Sequence, residues 1–186
     1  MRLSKSRYTT GLQCHRQLWW RVHEPDAPEL SNDGATQAVF DQGTEVGRVA
    51  RERVPGGVLI GSSDEYPLTS ETLARRVEET RQALEGKAPA IYEASFFADE
   101  TFAAVDILER TAGGADSGAA MKESWALIEV KSTTRIKAEH IQDVAVQLHV
   151  LRRTWLTVPP AELMHLNRAC TFPKLNDLFT RDDVTA

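Results

Sequence analysis

Three segments rich in β-branched, aromatic and small apolar residues follow one another between Ala90 and Lys131, and their closeness leaves antiparallel pairing as the simplest way to bury them. They run from Ala90 to Phe97, Phe102 to Leu108 and Trp125 to Lys131. Asp99-Glu100 makes a tight hairpin connection, whereas the run from Thr111 to Ser124, TAGGADSGAAMKES, reads as a long, mobile surface loop. Helical periodicity surrounds the block. Ser4 or Ser6 is placed to cap a helix running to about Arg21, and a Pro25/Pro28 loop follows it. From about Ala35 to Arg53, Val39, Gly43, Val46 and Ala50 make one helical face, on which Gly43 and Gly47 would allow close packing against another backbone. Thr69 is the expected cap and Gly86 the expected stop of a helix with Leu73, Val77, Thr80 and Leu84 inward. Ala138 to about Arg153 forms a further helix on Ile141, Val144, Ala145, Leu148 and Leu151, and Pro159-Pro160 breaks the chain after it. Short strands are expected around Val58 to Ile60 and Leu163 to Leu166.

The 186 residues, 41% hydrophobic and 26% charged, suit one globular domain with a substantial core. Three stretches are distinguished within it: an N-terminal basic and aromatic helical segment over 1–33, a core over 34–170 and a tail over 171–186 that is able to lead into further domains. No run approaches the roughly 18 apolar residues of a membrane span, and the N-terminus lacks the apolar stretch of a signal peptide. Cys14 and Cys170 form no CxxC pair, so a reducing cytoplasm is the expected compartment and Cys14 reads as a buried apolar residue. His15, His23, His140, His149 and His165 lack zinc-like spacing. A net charge of -5 argues against a surface that attracts nucleic acid everywhere, so such a site has to be a local basic groove. Lys5, Arg7, Arg16 and Trp19 in the opening segment are its candidates, because basic groups interleaved with aromatics can follow phosphates and stack bases. The alternative is a helix whose long side chains lie over the core.

Two acids interrupt strands that otherwise look buried, Asp106 in FAAVDIL and Glu129 in WALIEVK. Alternation puts Asp106 with Phe102, Ala104 and Leu108, and Glu129 with Trp125, Leu127 and Lys131. Two carboxylates about 4 Å apart repel by roughly 4 kcal/mol at an effective dielectric near 20. A divalent cation meets that need for positive charge, and Lys131, two residues along the strand from Glu129, supplies more on the same face. The other reading of Glu129 and Lys131 is a salt bridge on a solvated strand face. On the following helix His140, Asp143 and Gln147 form a polar stripe, and the Gln147 amide is able to bond a phosphate or hold Lys131.

The succession VDIL, IEVKS and HIQDVAVQLHVL resembles motifs II and III and the glutamine motif of RecB-like PD-(D/E)XK exonucleases. The opening SKSRYTTGLQCHRQLWW is similar to the N-terminal segment of CRISPR-associated RecB-like exonucleases. The N-terminal segment, GTEVGRVA, IYEASF, VDIL, EVKS, HIQDVAVQ and HLN occur in the order seen in an uncharacterised bacterial RecB-like family. The resemblance implies an α/β fold with a restriction-endonuclease-like core, a central mixed sheet of about four or five strands flanked by helices. It implies Mg²⁺- or Mn²⁺-dependent hydrolysis of DNA, acting as an exonuclease on single strands or duplex ends. Asp106, Glu129 and the Val130 carbonyl would hold the metal, Lys131 would act as base or stabiliser, and Gln147 would match the glutamine of Gln-x-x-x-Tyr, whose tyrosine is Leu151 here. Glu45 stands in for a histidine that relatives carry on the first core helix, and Glu93 is a further acidic candidate with a solvated hairpin residue as its alternative. An iron–sulfur cluster, which many CRISPR-associated relatives bind through four cysteines, is not expected with two. The rival readings are a nuclease-fold module that binds nucleic acid with little or no turnover, and a protein-interaction domain. Removing Asp106, Glu129 or Lys131 is expected to abolish cleavage without cost to folding.

Overall fold

The computed structural model describes residues 3–31, 34–61, 69–111, 124–154, 156 and 160–185. The long connection at 112–123, and with it the expected mobile loop, lies outside the described residues, as does Pro159. The chain is an α/β fold with a mixed, open sheet of seven strands and helices on both faces. In chain order the elements are β1 (Leu3–Ser4), α1 (Lys5–Gln13), α2 (His15–His23), α3 (Gly34–Arg51), β2 (Val58–Leu59), α4 (Ser70–Glu85), β3 (Ala90–Ala98), β4 (Thr101–Thr111), β5 (Ser124–Lys131), α5 (Ala138–Leu151), β6 (Ala161–Leu166) and β7 (Phe179–Asp183). No helix among the described residues is long and apolar enough to cross a membrane.

The expected β3, β4 and β5 pair antiparallel in succession. A crossover through α5 then returns β6 parallel to β5, as the absence of a short connection requires. The sheet runs β2-β3-β4-β5-β6-β7, with β1 parallel to the start of β4. Two of its strands were not expected. β1 has two residues, too few for periodicity, and β7 reads FTRDD, whose charges suit an edge strand and hide it from a search for apolar alternation. The stretch set aside as a tail therefore completes the sheet.

One core lies between the sheet and α4 and α5, with Leu84, Ile91, Trp125, Leu127, Val144, Leu148, Leu151 and Leu163 among its members. A second, formed by Ala50, Val54, Tyr92, Ile107, Ile128 and Met164, joins the end of α3 to the opposite face. Thr69 and Thr72 cap α4 reciprocally and Gly86 ends it, as expected. The opening helix differs. It is two helices, α1 capped by Ser4 and α2 by the sulfur of Cys14, which accepts the Gln17 N–H. Cys14 is exposed, so its place is set by capping and not by burial.

On α5, Ile141 and Ala145 face outward while Val146 and Val150 are buried, so the stripe is rotated from the expected one. On α3, Val39 is 61% exposed, and a side-chain carbon added at Gly43 or Gly47 would meet open space. The expected close backbone contact is absent, because this part of α3 borders a cleft.

Candidate active site

Simple alternation fails at the point where the acids stand. On β4, Ala103, Val105 and Leu108 belong to the first core and Ile107 to the second; on β3, Ile91, Ala94 and Phe96 belong to the first and Tyr92 to the second. Both strands thus turn over between the pairs Tyr92↔Ile107 and Ala94↔Val105, at Glu93 and Asp106. Glu93 accomplishes the turn with a φ of 56°, a left-handed conformation that costs a side-chain-bearing residue about 1–3 kcal/mol. Asp106 consequently does not simply share the face of Phe102 and Ala104. The β4–β5 ladder stops at Ile107↔Ile128, and the Asp106 carboxylate instead accepts the Val130 N–H at 2.7 Å.

Glu129 is 2% exposed and sits at the centre of a network. Lys131 Nζ donates to its Oε1 at 2.8 Å, Gln147 Nε2 to its Oε2 at 2.6 Å, and Lys5 Nζ to both oxygens at 3.0 Å. Lys131 also bonds the Asp143 carboxylate. The sequence placed Asp143 and Gln147 on one stripe, and their spacing of four residues puts them on adjacent turns over the end of β5. Gln147 is wholly buried and also donates to the Asp143 carbonyl at 3.1 Å, so it positions Glu129 and does not reach a phosphate or Lys131. Its Oε1 is buried with no partner among the described residues. Leu151, at the tyrosine position of the motif, is buried in the first core.

Burial, and after it the neighbouring Glu129 charge, pushes the Asp106 carboxyl up to about 7. Burial would also raise Glu129, but Lys5, then Lys131 and Gln147, outweigh it and hold Glu129 down to about 2. The pair thus keeps Glu129 ionised and places any proton on Asp106. For Lys131, burial favours the neutral amine, yet Glu129 and Asp143 override it and raise its pKa. It stays an ammonium, suited to stabilising charge and unsuited to accepting a proton. Glu93 is raised by burial, against the pull of Arg51, whose guanidinium lies 3.8 Å away.

These shifts set a pH dependence for the metal-free protein. A carboxyl whose folded pKa lies above its unfolded value of about 3.9 binds more protons folded than unfolded, so stability falls as pH rises between the two. Asp106 is expected to impose such a fall between about pH 4 and about 7. Thermal melts of the wild type and Asp106→Asn should diverge across that window, the wild type losing more; parallel curves would refute the assignment.

Asp106, Glu129, Glu93 and Val130 line one wall of a cleft of about 750 Å³. Gly43, Thr44, Glu45, Gly47, Arg48 and Arg51 of α3 line the other, and Arg76 of α4, buried and bonded to Ser95 at 3.2 Å, lines the cleft as well. Glu45 is exposed and bonded to Arg48 at 2.8 Å, which lowers its pKa. Lys5, a nucleic-acid contact by expectation, is instead directed at Glu129, and nothing in the opening segment signals a partner 124 residues away. Arg7 is half-buried, while Arg16 and Trp19 are exposed on α2, with the Arg16 guanidinium 4.7 Å from the Trp20 ring and Trp19 beside His23.

Among the described residues no group of three or more His, Cys, Asp or Glu side chains converges as a metal cage. The donors at the turnover are two carboxylates beside the Val130 backbone, an oxygen set that matches the way Mg²⁺ is held, by one or two carboxylates with water and phosphate oxygens. After burial, the Glu129 charge is what raises Asp106, and a cation would relieve that repulsion. These residues fit Mg²⁺ or Mn²⁺. Neither protein-family models nor curated proteins give a match to this chain.

Proposed function

We propose that this chain is a metal-dependent nuclease that hydrolyses phosphodiester bonds of DNA, acting from strand ends. The observation that carries the reading is the meeting of Asp106 and Glu129 at one wall of a cleft whose other wall bears Arg48 and Arg51, with Lys131 bonded to Glu129 behind that wall. Acids alone would repel a phosphodiester. Guanidinium groups opposite them supply the attraction, and a cleft bounded by glycines leaves room for a sugar-phosphate backbone.

Asp106 and Glu129, with the Val130 carbonyl, would hold Mg²⁺ or Mn²⁺. When bound, the ion supplies a water acidic enough to attack at neutral pH and a Lewis acid for the phosphoryl oxygens. Lys131 remains charged and stabilises the negative charge that builds on the phosphoryl group in the transition state. Asp143 and Gln147 fix Lys131 and Glu129 so that little reorganisation is needed as that charge develops. Arg48 and Arg51 orient the scissile strand along the opposite wall.

Incubation of the purified chain with single-stranded and duplex DNA labelled at either end, in Mg²⁺ and in Mn²⁺, tests the reading. Progressive release of short products from an end is expected. Intact DNA in both metals at stoichiometric protein would overturn it. A second reading, a module of this fold that binds nucleic acid without cutting, is favoured by one observation: the Glu129 oxygens are already occupied by three donors. Retention of DNA on the protein without cleavage would decide for it.

A further inference from the structure

The Glu129 carboxylate has no acceptor capacity to spare. A carboxylate offers about four lone-pair positions. Oε1 receives Lys5 and Lys131, and Oε2 receives Lys5 and Gln147, so all four are in use. A divalent cation arriving at Glu129 therefore has to displace a donor. Gln147 is enclosed completely and tied to the Asp143 carbonyl as well. Lys131 is tied to the Asp143 carboxylate. Lys5 donates to Glu129 and to no other acceptor in the described structure, and its side chain is the most exposed of the three at 24%. It also stands at the first position of α1, on a long unbranched stem.

Charge leads to the same donor. The Lys5 ammonium, bonded to both Glu129 oxygens, is also attracted by Asp106 and Asp143. An ammonium and a divalent ion on the same two oxygens would repel strongly. Lys131 is less able to yield, because its departure would also break its bond to the Asp143 carboxylate, whereas Lys5 gives up Glu129 alone.

We infer that Lys5 is the resident counter-ion of this carboxylate pair and that a divalent cation takes its place, so that metal binding and release of the Lys5 side chain from Glu129 are a single exchange. This rests on the metal-dependent reading proposed above. Lys5 is accordingly a positioning residue of the metal-free state, and the N-terminal helix is coupled to metal occupancy through it.

Two measurements that need no cleavage assay test the exchange. Calorimetric titration with Mn²⁺ should give an affinity at least about ten-fold higher in Lys5→Met than in the wild type, since no ammonium has to leave. Lys5→Arg, whose planar fork can hold both Glu129 oxygens, should bind more weakly than the wild type. On the wild-type protein, acetic anhydride labelling read by mass spectrometry should modify Lys5 slowly without metal and several-fold faster with saturating Mn²⁺, while exposed Lys137 is unchanged. Equal or weaker Mn²⁺ binding in Lys5→Met, or Lys5 labelling indifferent to Mn²⁺, overturns the exchange and leaves the metal-dependent reading standing. Absence of Mn²⁺ binding in the wild type and in Lys5→Met alike overturns both.

Discussion

A Glu129→Ala variant is expected to lose DNA cleavage by about a thousand-fold and, in the same molecule, about 3–5 kcal/mol of stability. The second effect follows from what the carboxylate holds. Lys5, Lys131 and the buried Gln147 amide all donate to it, and its removal leaves Lys5 without its acceptor, Lys131 with Asp143 alone, and a cavity in a buried, charged network. Asp106→Ala should lose cleavage to a similar degree at a cost of about 1 kcal/mol, the scale of its bond from the Val130 N–H, because burial and Glu129 already disfavour its charge. The acids thus differ in cost, whereas the sequence alone predicts that both can be removed freely. Urea denaturation without metal, beside single-turnover cleavage, separates the effects. Equal stability of the two variants would show that the network around Glu129 does not hold the fold together.

Trp125→Ala is expected to cost about 3–5 kcal/mol, the range for emptying a buried aromatic site. Trp125 is 1% exposed at the start of β5, in the core beneath α4 and α5, and the Arg110 guanidinium lies 4.3 Å over its ring. Arg110→Ala should cost less, about 2 kcal/mol, for a cation–π contact near the surface and hydrogen bonds to the Ala88 and Gly86 carbonyls. Chemical denaturation of both variants measures the difference. A Trp125→Ala loss below that of Arg110→Ala would mean that the pocket collapses around the missing ring.

Much of this architecture is legible in the residues. Central strands, the cap at Thr69, the stop at Gly86 and the α5 crossover carry local signals, because each rests on side-chain periodicity or on turn chemistry within a few positions. β1 and β7 carry none, since edge pairing is satisfied by backbone groups whatever the side chains are. The pairing of Glu129 with Lys131 is fixed by the two-residue period of a strand, and Asp143 and Gln147 by the helical one. Lys5 was out of reach: only the three-dimensional path of α1 brings it to Glu129. Asp106 was found as an acid in an apolar strand, but its orientation was read from an alternation that Glu93 interrupts, and a positive φ at glutamate leaves no mark in sequence.

That interruption divides the hairpin of β3 and β4 into two parts that answer to different cores, with the carboxylates on the dividing line. The wall of the cleft that carries the acids is therefore clamped from both sides of the sheet, whereas on the facing wall, α3, Ala50 near its end is the one buried residue among those described. If the cleft takes a nucleic-acid strand as proposed above, an outward shift of α3 would widen it without changing the distance between Asp106 and Glu129.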